Sequence, residues 1–187
     1  MDFSYSEDQR LFIDSVRGFA ERHLPEDALA RAHAGTFPWE VAKLMAEHGL
    51  LGITIAKADG GQGGTLMDAV IATEQIASQC PRSADVLQFG SFGPIRVLAE
   101  YGTDNQKQRI LTRLLAGEAL IAVAMTEPDA GSAVTDLRTT ATPDGEGFRI
   151  NGSKVFTSHG PEADYFLAYV RFGPGVGGIG SVLIERD

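Results

Sequence analysis

Up to about residue 117, apolar residues recur every three to four positions, which is the period of an amphipathic helix. Phe12, Val16 and Phe19 share one face of a first helix, which Ser6 and Gln9 are expected to begin as a capping box. The same periodicity and boundary residues predict four more helices: Pro38 to Gly49, about Thr65 to Ser78, about Ser83 to Tyr101, and a Thr103–Gln106 capping box leading to Gly117.

After Gly117 the helical period gives way to short apolar runs separated by turn residues. Ala119–Met125 is typical of a buried strand. Asp144-Gly145 and Asn151-Gly152 are turn dipeptides, and the second is a strong β-hairpin signal. Further strands are predicted at 137–142, 147–150, 153–157, 165–172 and 180–186.

Helices followed by strands, without alternation of the two, indicate an α+β fold. We predict an all-helical domain over residues 1–117 and an incomplete antiparallel β-barrel or sandwich over 118–187. The last strand is expected to reach Asp187 with no closing element after it, which leaves an unpaired sheet edge.

Composition narrows the function classes. A net charge of −9 argues against nucleic-acid binding, which needs clustered Lys and Arg. No apolar run approaches the roughly 18–20 residues of a membrane span, and Met1–Ser4 lacks a secretory pattern, so the predicted location is the cytoplasm. One cysteine, Cys80, and four scattered histidines predict no metal site.

The segment Met125–Ser132 carries the most chemistry. Pro128 stiffens it, Gly131 permits close approach of a ligand, and Thr126 and Ser132 supply short hydroxyls. On spacing alone, a surface loop with a proline kink is the simpler interpretation.

Two motifs resemble signatures of the acyl-CoA dehydrogenase family. Ala124–Ser132, with its Thr-Glu-Pro-Asp-Ala-Gly-Ser core, resembles the segment in which an apolar strand leads into Thr-Glu-Pro-x-Ala-Gly-Ser. Ile150–Ser158 resembles the family's Ile-Asn-Gly-x-Lys hairpin, which leads to an aromatic residue and then Thr or Ser. The order of Gly60–Gly64 and Tyr101–Lys107 also agrees, so the similarity covers essentially the whole chain.

The resemblance implies FAD as the cofactor and assigns its contacts by position. Residues from Val123 through Met125 to Ser132 would wrap the flavin, with Thr126 bonded to the isoalloxazine edge and Gly131 and Ser132 near the pyrophosphate. Phe156 would pack against the ring, with Thr157 and Ser158 beside its reactive edge.

The resemblance also implies substrate contacts. Ser132 would lie beside the pantetheine arm of coenzyme A, and Gln88 and Phe89 belong to the region that lines the acyl pocket. Arg82 could meet a carboxylated substrate, although a solvated Arg at a helix end is the simpler interpretation.

Three positions depart from the family's common pattern. Ala133 stands where Asp is frequent, Phe156 where Trp is common, and Ser158 where Thr is frequent. These changes preserve the apolar wall and the hydroxyl, but they loosen any inference about the acyl group.

The implied reaction is α,β-dehydrogenation of an acyl-CoA thioester. A carboxylate removes the α-proton, and flavin N5 accepts the β-hydrogen as hydride. The family's base is a glutamate in a C-terminal helical bundle, so we assign no catalytic residue in this chain, and Glu127 is expected to be structural.

The implied partners are an acyl-CoA substrate and an electron-transfer flavoprotein or another acceptor. A homo- or hetero-oligomer is expected, including a polypeptide with the C-terminal helical domain. Two alternatives stay open: a flavin oxidase or monooxygenase of the same fold, and a non-catalytic subunit that keeps the fold.

Overall fold

The computed structural model describes residues 4–186. Predictions that involve residues 1–3 or 187, including the end of the final strand at Asp187, lie outside the described residues. The chain divides into two compact units between Ala119 and Leu120. Each unit is described by itself below.

The first unit is helical. Its α-helices are α1 (Glu7–His23), α2 (Ala28–His33), α3 (Trp39–Glu47), α4 (Leu66–Ala77), α5 (Pro81–Ser91), α6 (Pro94–Tyr101), α7 (Asp104–Gln106) and α8 (Thr112–Leu115). A 3₁₀ turn at Lys57–Asp59 precedes α4, and a π-helical stretch at Lys107–Leu111 joins α7 to α8.

Local capping explains where several of these helices begin. The capping boxes predicted at Ser6–Gln9 and Thr103–Gln106 are both present, because each hydroxyl accepts the amide three residues on and each Gln side chain bonds back. Thr65 caps α4 in the same manner through Asp68. The short helix α2 was not predicted, since no apolar periodicity marks it.

The prediction of one helix from Ser83 to Tyr101 is wrong. The chain breaks into α5 and α6 at Phe92 and Gly93, and Gly93 has a left-handed φ of 62°. Pro94 then begins α6 at a position where its missing N–H costs nothing.

Burial of the helices' apolar faces forms the core of the first unit. In α1 the buried residues include Val16 and Phe19 of the predicted face, whereas Phe12 is only half-buried. The largest fully buried side chains of this unit are Val16, Leu24, Met45, Ile55, Ile71, Ile76, Leu87, Ile95, Ile110 and Leu111.

The second unit contains an open sheet. Its strands are β1 (Ile121–Ala124), β2 (Thr140–Asp144), β3 (Gly147–Asn151), β4 (Tyr165–Arg171) and β5 (Ile179–Glu185). β4 is central: β5 pairs antiparallel along one of its edges, and β1 pairs parallel along the other. β2 joins parallel at Thr140↔Arg171 and carries β3 as an antiparallel neighbour.

The α+β class and the unclosed sheet are confirmed, but the sheet is mixed rather than purely antiparallel. A parallel pair requires a long crossover between its strands. The segment between β1 and β4 provides this crossover and contains β2, β3 and the candidate site. Turn dipeptides report only local reversals, so the sequence pattern could not reveal the parallel pairings.

The turn predicted at Asp144-Gly145 is confirmed, whereas the hairpin predicted at Asn151-Gly152 is wrong. β2 and β3 are joined at Gly145 and Glu146, where Gly145 has a φ of 63°. Asn151 instead ends β3, and the strand predicted at 153–157 is irregular backbone. Gly152 has a φ of 157°, and a Cβ there would lie 2.7 Å from the Thr139 Cα, so glycine is required for packing and not for a turn.

Candidate functional site

The first signature segment leaves the sheet at the end of β1 and folds into a tight turn. Half-buried Val123 pairs with Leu167 in β4, and half-buried Met125 and Thr126 follow the strand. Glu127 and Ala130 close the turn through reciprocal backbone hydrogen bonds of 3.0 and 3.2 Å. Backbone hydrogen bonds within the chain therefore define the shape of this turn.

The buried Glu127 side chain anchors this turn to neighbouring segments of the second unit. Its carboxylate is buried and accepts the Arg138 amide at 2.6 Å, the Thr139 amide at 2.9 Å and the Lys154 ammonium at 2.8 Å. Burial raises the pKa of Glu127, but these hydrogen bonds outweigh burial and lower the pKa to about 2. Glu127 is thus an ionised structural group whose oxygens are already engaged.

Lys154 and Val155 join the second signature segment to the first. The Lys154 ammonium donates to the Met125 carbonyl at 2.9 Å as well as to Glu127, and the Val155 amide donates to the Thr126 carbonyl at 2.9 Å. The two segments that the sequence singled out therefore lie side by side in the second unit.

Phe156 follows directly and has two unusual properties. Its side chain is 91% exposed, and its φ is 56°, a left-handed conformation that is strained for a bulky residue. Half-buried Thr157 and exposed Ser158 come next. A strained and exposed aromatic residue gains nothing from this unit's own core, so the arrangement fits stacking against a planar ligand.

The turn is exposed at Gly131 and Ser132, where the protein main chain is expected to contact a ligand. Gly131 and Ser132 are exposed, and a Cβ at Gly131 would meet nothing within 4 Å among residues 4–186. Neither packing within the chain nor a left-handed φ requires glycine at this position. The open face at Gly131 fits the close approach of a phosphate-bearing group to the main chain.

The two substrate residues predicted in the first unit, Gln88 and Phe89, point in different directions. Gln88 is exposed and lines an open groove of about 480 Å³ with Val70, Thr73, Glu74 and Phe92. Phe89 is half-buried and packs edge-on against Phe37, with ring centroids 6.4 Å apart. Consecutive residues on a helix point about 100° apart, so α5 sends the two side chains to different surroundings.

Arg82 is held by the protein itself. Its guanidinium pairs with Asp85 at 3.2 Å and donates to the Thr36 carbonyl at 3.0 Å. These contacts favour the structural interpretation of Arg82 over contact with a carboxylated substrate.

Two further properties concern residues 4–186 as a whole. No three His, Cys, Asp or Glu side chains in this range come together as metal ligands. Over the same residues, each helix is too short or too polar to span a bilayer.

Comparison with known protein families identifies the chain. The family model described as acyl-CoA dehydrogenase, N-terminal domain, matches residues 6–118, and the model described as acyl-CoA dehydrogenase, middle domain, matches residues 122–187. The chain belongs to the acyl-CoA dehydrogenase family. The resemblance inferred from the two signature segments is confirmed.

Individual relatives agree with this assignment. The short-chain specific acyl-CoA dehydrogenase of Clostridium acetobutylicum is 34% identical over 188 residues, covering 100% of this chain and 50% of the relative. The FAD complex of PigA superposes with a TM-score of 0.90 at 29% identity, covering 100% of this chain and 50% of PigA. The ChsE4-ChsE5 complex of Mycobacterium tuberculosis gives a TM-score of 0.87 at 29% identity, covering 99% and 49%.

These matches share one property of length. The chain spans about half the length of the curated relatives it matches. The matches show membership of the family, but they do not extend to the activity of a whole acyl-CoA dehydrogenase.

Sequence reasoning missed the contacts that hold the site of this acyl-CoA dehydrogenase family member together. Glu127 and Lys154 each belong to a recognised signature, and their opposite charges were the available signal for a pair between the signatures. The packing of Gly152 on Thr139 had no comparable signal, because only the folded chain brings these residues together.

Proposed function

We propose that this chain provides the FAD-binding half of an acyl-CoA dehydrogenase, which removes the α- and β-hydrogens of an acyl-CoA thioester. One observation carries the proposal: the Thr126 turn and the segment leading to Phe156 are joined by the Val155–Thr126 hydrogen bond and by Lys154. FAD, when bound, supplies the acceptor for the substrate's β-hydrogen.

The chain's residues have distinct proposed roles at that site. Phe156 provides the apolar wall, and Val123, Met125 and Thr126 line the strand side, with the Thr126 hydroxyl available to bond the ring's edge. Thr157 and Ser158 flank Phe156 and offer hydroxyls. Gly131 and Ser132 offer main-chain amides and a hydroxyl to the pyrophosphate and to the pantetheine arm.

We propose a different role for each of the two units. Residues 118–187 form the flavin- and acyl-CoA-binding β-domain, and residues 1–117 form the helical domain that contributes Gln88 and Phe89 to substrate binding. The groove beside Gln88 supports a contact with substrate, whereas the packing of Phe89 on Phe37 supports an indirect role.

The catalytic base is proposed to lie outside this chain. Glu127 is the acidic residue nearest the proposed ring contacts in sequence, but its oxygens are occupied by two amides and an ammonium. Its low pKa also makes it a weak acceptor of a proton. The half-length match to its relatives supports a base on the remaining segment or on a partner polypeptide.

The expected partners follow from the same proposal. An electron-transfer flavoprotein or another acceptor would reoxidise the cofactor, and the likeness to the ChsE4-ChsE5 complex supports an oligomer. A cytoplasmic location stays a prediction from sequence.

Titration of the purified chain with FAD tests the proposal. Binding is expected to quench flavin fluorescence and to shift the flavin absorption bands, because the ring leaves water for an aromatic wall. Mixing the flavin-bound chain with the polypeptide that completes it, then adding acyl-CoA without oxygen, should bleach the flavin. A chain that remains colourless, alone and in the completed assembly, would instead indicate a non-catalytic subunit.

A flavin oxidase or monooxygenase of the same fold is the second candidate. The likeness to PigA, whose structure with FAD and proline gives a TM-score of 0.90, supports chemistry on a molecule other than an acyl-CoA in the same fold, and an oxidase or monooxygenase is one such case. Stopped-flow mixing of the reduced assembly with oxygen separates the two. Rapid reoxidation supports the oxidase, and slow reoxidation supports the dehydrogenase.

A further inference from the structure

Residues 131–136 have little packing of their own. They follow the Glu127–Ala130 turn and precede Leu137, which is buried. All of them are exposed except Val134, which is half-buried. This stretch contains both residues proposed to contact the pyrophosphate, so burial does not fix the main chain on which those contacts depend.

The Arg171 side chain holds this stretch from a distance in the sequence. Its Nη2 donates to the Thr135 carbonyl at 2.7 Å. Within residues 4–186, this is the single hydrogen bond that joins residues 131–136 to a part of the chain beyond Leu137. The other bonds of the stretch are the local backbone bonds of a 3₁₀ turn at Val134–Asp136.

The same guanidinium also bonds the residue after the stretch and the loop that follows β4. Its Nε donates to the Leu137 carbonyl at 3.1 Å, and its Nη1 donates to the Gly175 carbonyl at 2.7 Å. Arg171 is itself the last residue of β4, where its amide donates to the Thr139 carbonyl at 2.8 Å. The planar fork of a guanidinium can hold several carbonyls at fixed angles, which a lysine ammonium cannot.

Arg171 and Glu127 bond to opposite ends of one peptide group. The Leu137 carbonyl of this group accepts from Arg171 Nε. Its amide, that of Arg138, donates to the Glu127 carboxylate at 2.6 Å. A cation at the oxygen and an anion at the N–H polarise the group in the same direction, so each bond strengthens the other. The peptide group thereby connects Arg171 to the Glu127–Lys154 pair that joins the two signature segments.

The charge of Arg171 is not neutralised by a carboxylate. Among residues 4–186, every hydrogen-bond acceptor of its side chain is a backbone carbonyl oxygen. Such a cation contributes a positive potential to the region that it organises, and this favours an anionic ligand there.

We infer that Arg171 is a positioning residue for the pyrophosphate of FAD, an inference that rests on the proposed function. Arg171 acts through the main chain: it holds residues 131–136 in the conformation in which Gly131 and Ser132 face the pyrophosphate. Without this bond, the ligand has to order the stretch when it binds. The conformational entropy lost in that ordering lowers the affinity for FAD.

Titration with two flavins separates positioning from general stability. Riboflavin has the isoalloxazine ring but no phosphate, so it reports the contact with Phe156 without the pyrophosphate contacts. Arg171→Met should weaken FAD binding roughly fivefold to tenfold and change riboflavin affinity by less than about twofold. Arg149→Met, which removes an exposed arginine of the same unit, should leave both affinities at the parental level.

Arg171→Lys is the conservative variant. It keeps the charge and the aliphatic stem but lacks the fork, so it should restore FAD affinity only in part. It also takes the place of Arg171→Met in the comparison if that variant does not unfold cooperatively in urea. Equal weakening of both flavins, or an unchanged affinity for FAD, would overturn the positioning role.

The parent chain distinguishes failure of this inference from failure of the proposed function. A parent chain that binds FAD no more tightly than riboflavin would overturn the role of Arg171 and leave flavin binding intact. A parent chain that binds neither flavin would overturn the proposed function and this inference together.

Discussion

Two ion pairs in the second unit have the same chemistry and opposite surroundings. Lys154 and Glu127 are 12% and 7% exposed and join the two signature segments. Arg149 and Asp144 are 73% and 53% exposed and lie within the β2–β3 hairpin. Burial removes water from the Lys154–Glu127 pair, and only a complete set of hydrogen bonds offsets that free-energy cost. The exposed pair stays hydrated, so its contact adds little to stability.

Two exposed phenylalanines accompany these pairs. Phe148, in the hairpin, is 54% exposed but packs edge-on against Phe172, with ring centroids 5.2 Å apart. Phe156, beside the buried pair, is 91% exposed and has a left-handed φ. In the hairpin, Phe148 contributes to stability by packing against Phe172. In the signature region, the strained Phe156 side chain points outward beside the buried ion pair, as expected of a binding surface.

The largest expected effect comes from breaking the buried pair. Lys154→Met should destabilise the chain by about 3–5 kcal/mol, because Glu127 stays buried without its cation. Arg149→Met, the matched change in the exposed pair, should cost less than about 1 kcal/mol. Urea unfolding measures both, and equal losses would remove the distinction between the two pairs.

Low pH should weaken the same Glu127–Lys154 ion pair. The low pKa of Glu127 means that its contribution is complete above about pH 4.5 and is lost as pH falls toward about 2. The loss amounts to about 3 kcal/mol if Glu127 has an ordinary pKa in the unfolded chain. Unfolding measured from pH 5 to pH 2 should show a smaller decline in Glu127→Gln than in the parent, and parallel declines would contradict the assignment.

Removal of the outward ring should affect ligand binding and leave stability unchanged. Phe156→Ala should weaken FAD binding roughly tenfold, about 1.4 kcal/mol, because the stacking wall is lost. The free energy of unfolding should stay the same or rise, since the ring buries little. Phe148→Ala is the control: it should keep FAD affinity and lower stability. Fluorescence titration and urea unfolding of both variants provide the comparison.

The smallest effect on stability is expected at Gly131. Gly131→Ala should change the free energy of unfolding by less than about 0.5 kcal/mol, because its Cβ meets open space, yet it should weaken FAD binding. Gly152→Ala should be clearly destabilising, since its Cβ would collide with Thr139. If FAD affinity is unchanged in Gly131→Ala, the close approach of the pyrophosphate to Gly131 is wrong.

The success of sequence reasoning differed between these regions. The capping boxes at Ser6 and Thr103 were predicted correctly, because a cap depends on residues three positions apart. The hairpin at Asn151-Gly152 was placed wrongly, because the dipeptide's turn propensity was overridden by the packing of Gly152 on Thr139. The left-handed Phe156 was beyond any propensity rule, since such rules assign it to a strand.

The candidate site shows the same limit. Both signature segments were recognised from residue order, and the turn's composition indicated Gly131 and Ser132 as ligand-facing. Their attachment through Lys154 to Met125 and Glu127 spans 29 and 27 residues. No local pattern reports a bond of that separation.

From the sequence alone came the helical character of the first unit, the change to strands after Gly117 and the membership of the acyl-CoA dehydrogenase family, all of which depend on short-range periodicity, caps and ordered motifs. Tertiary structure alone decided the parallel pairing of β1 with β4, the buried Glu127–Lys154 pair and the exposed, strained Phe156. The physical reason is that these features are set by the burial of charge and by contacts between distant residues, whose energies exceed local preferences.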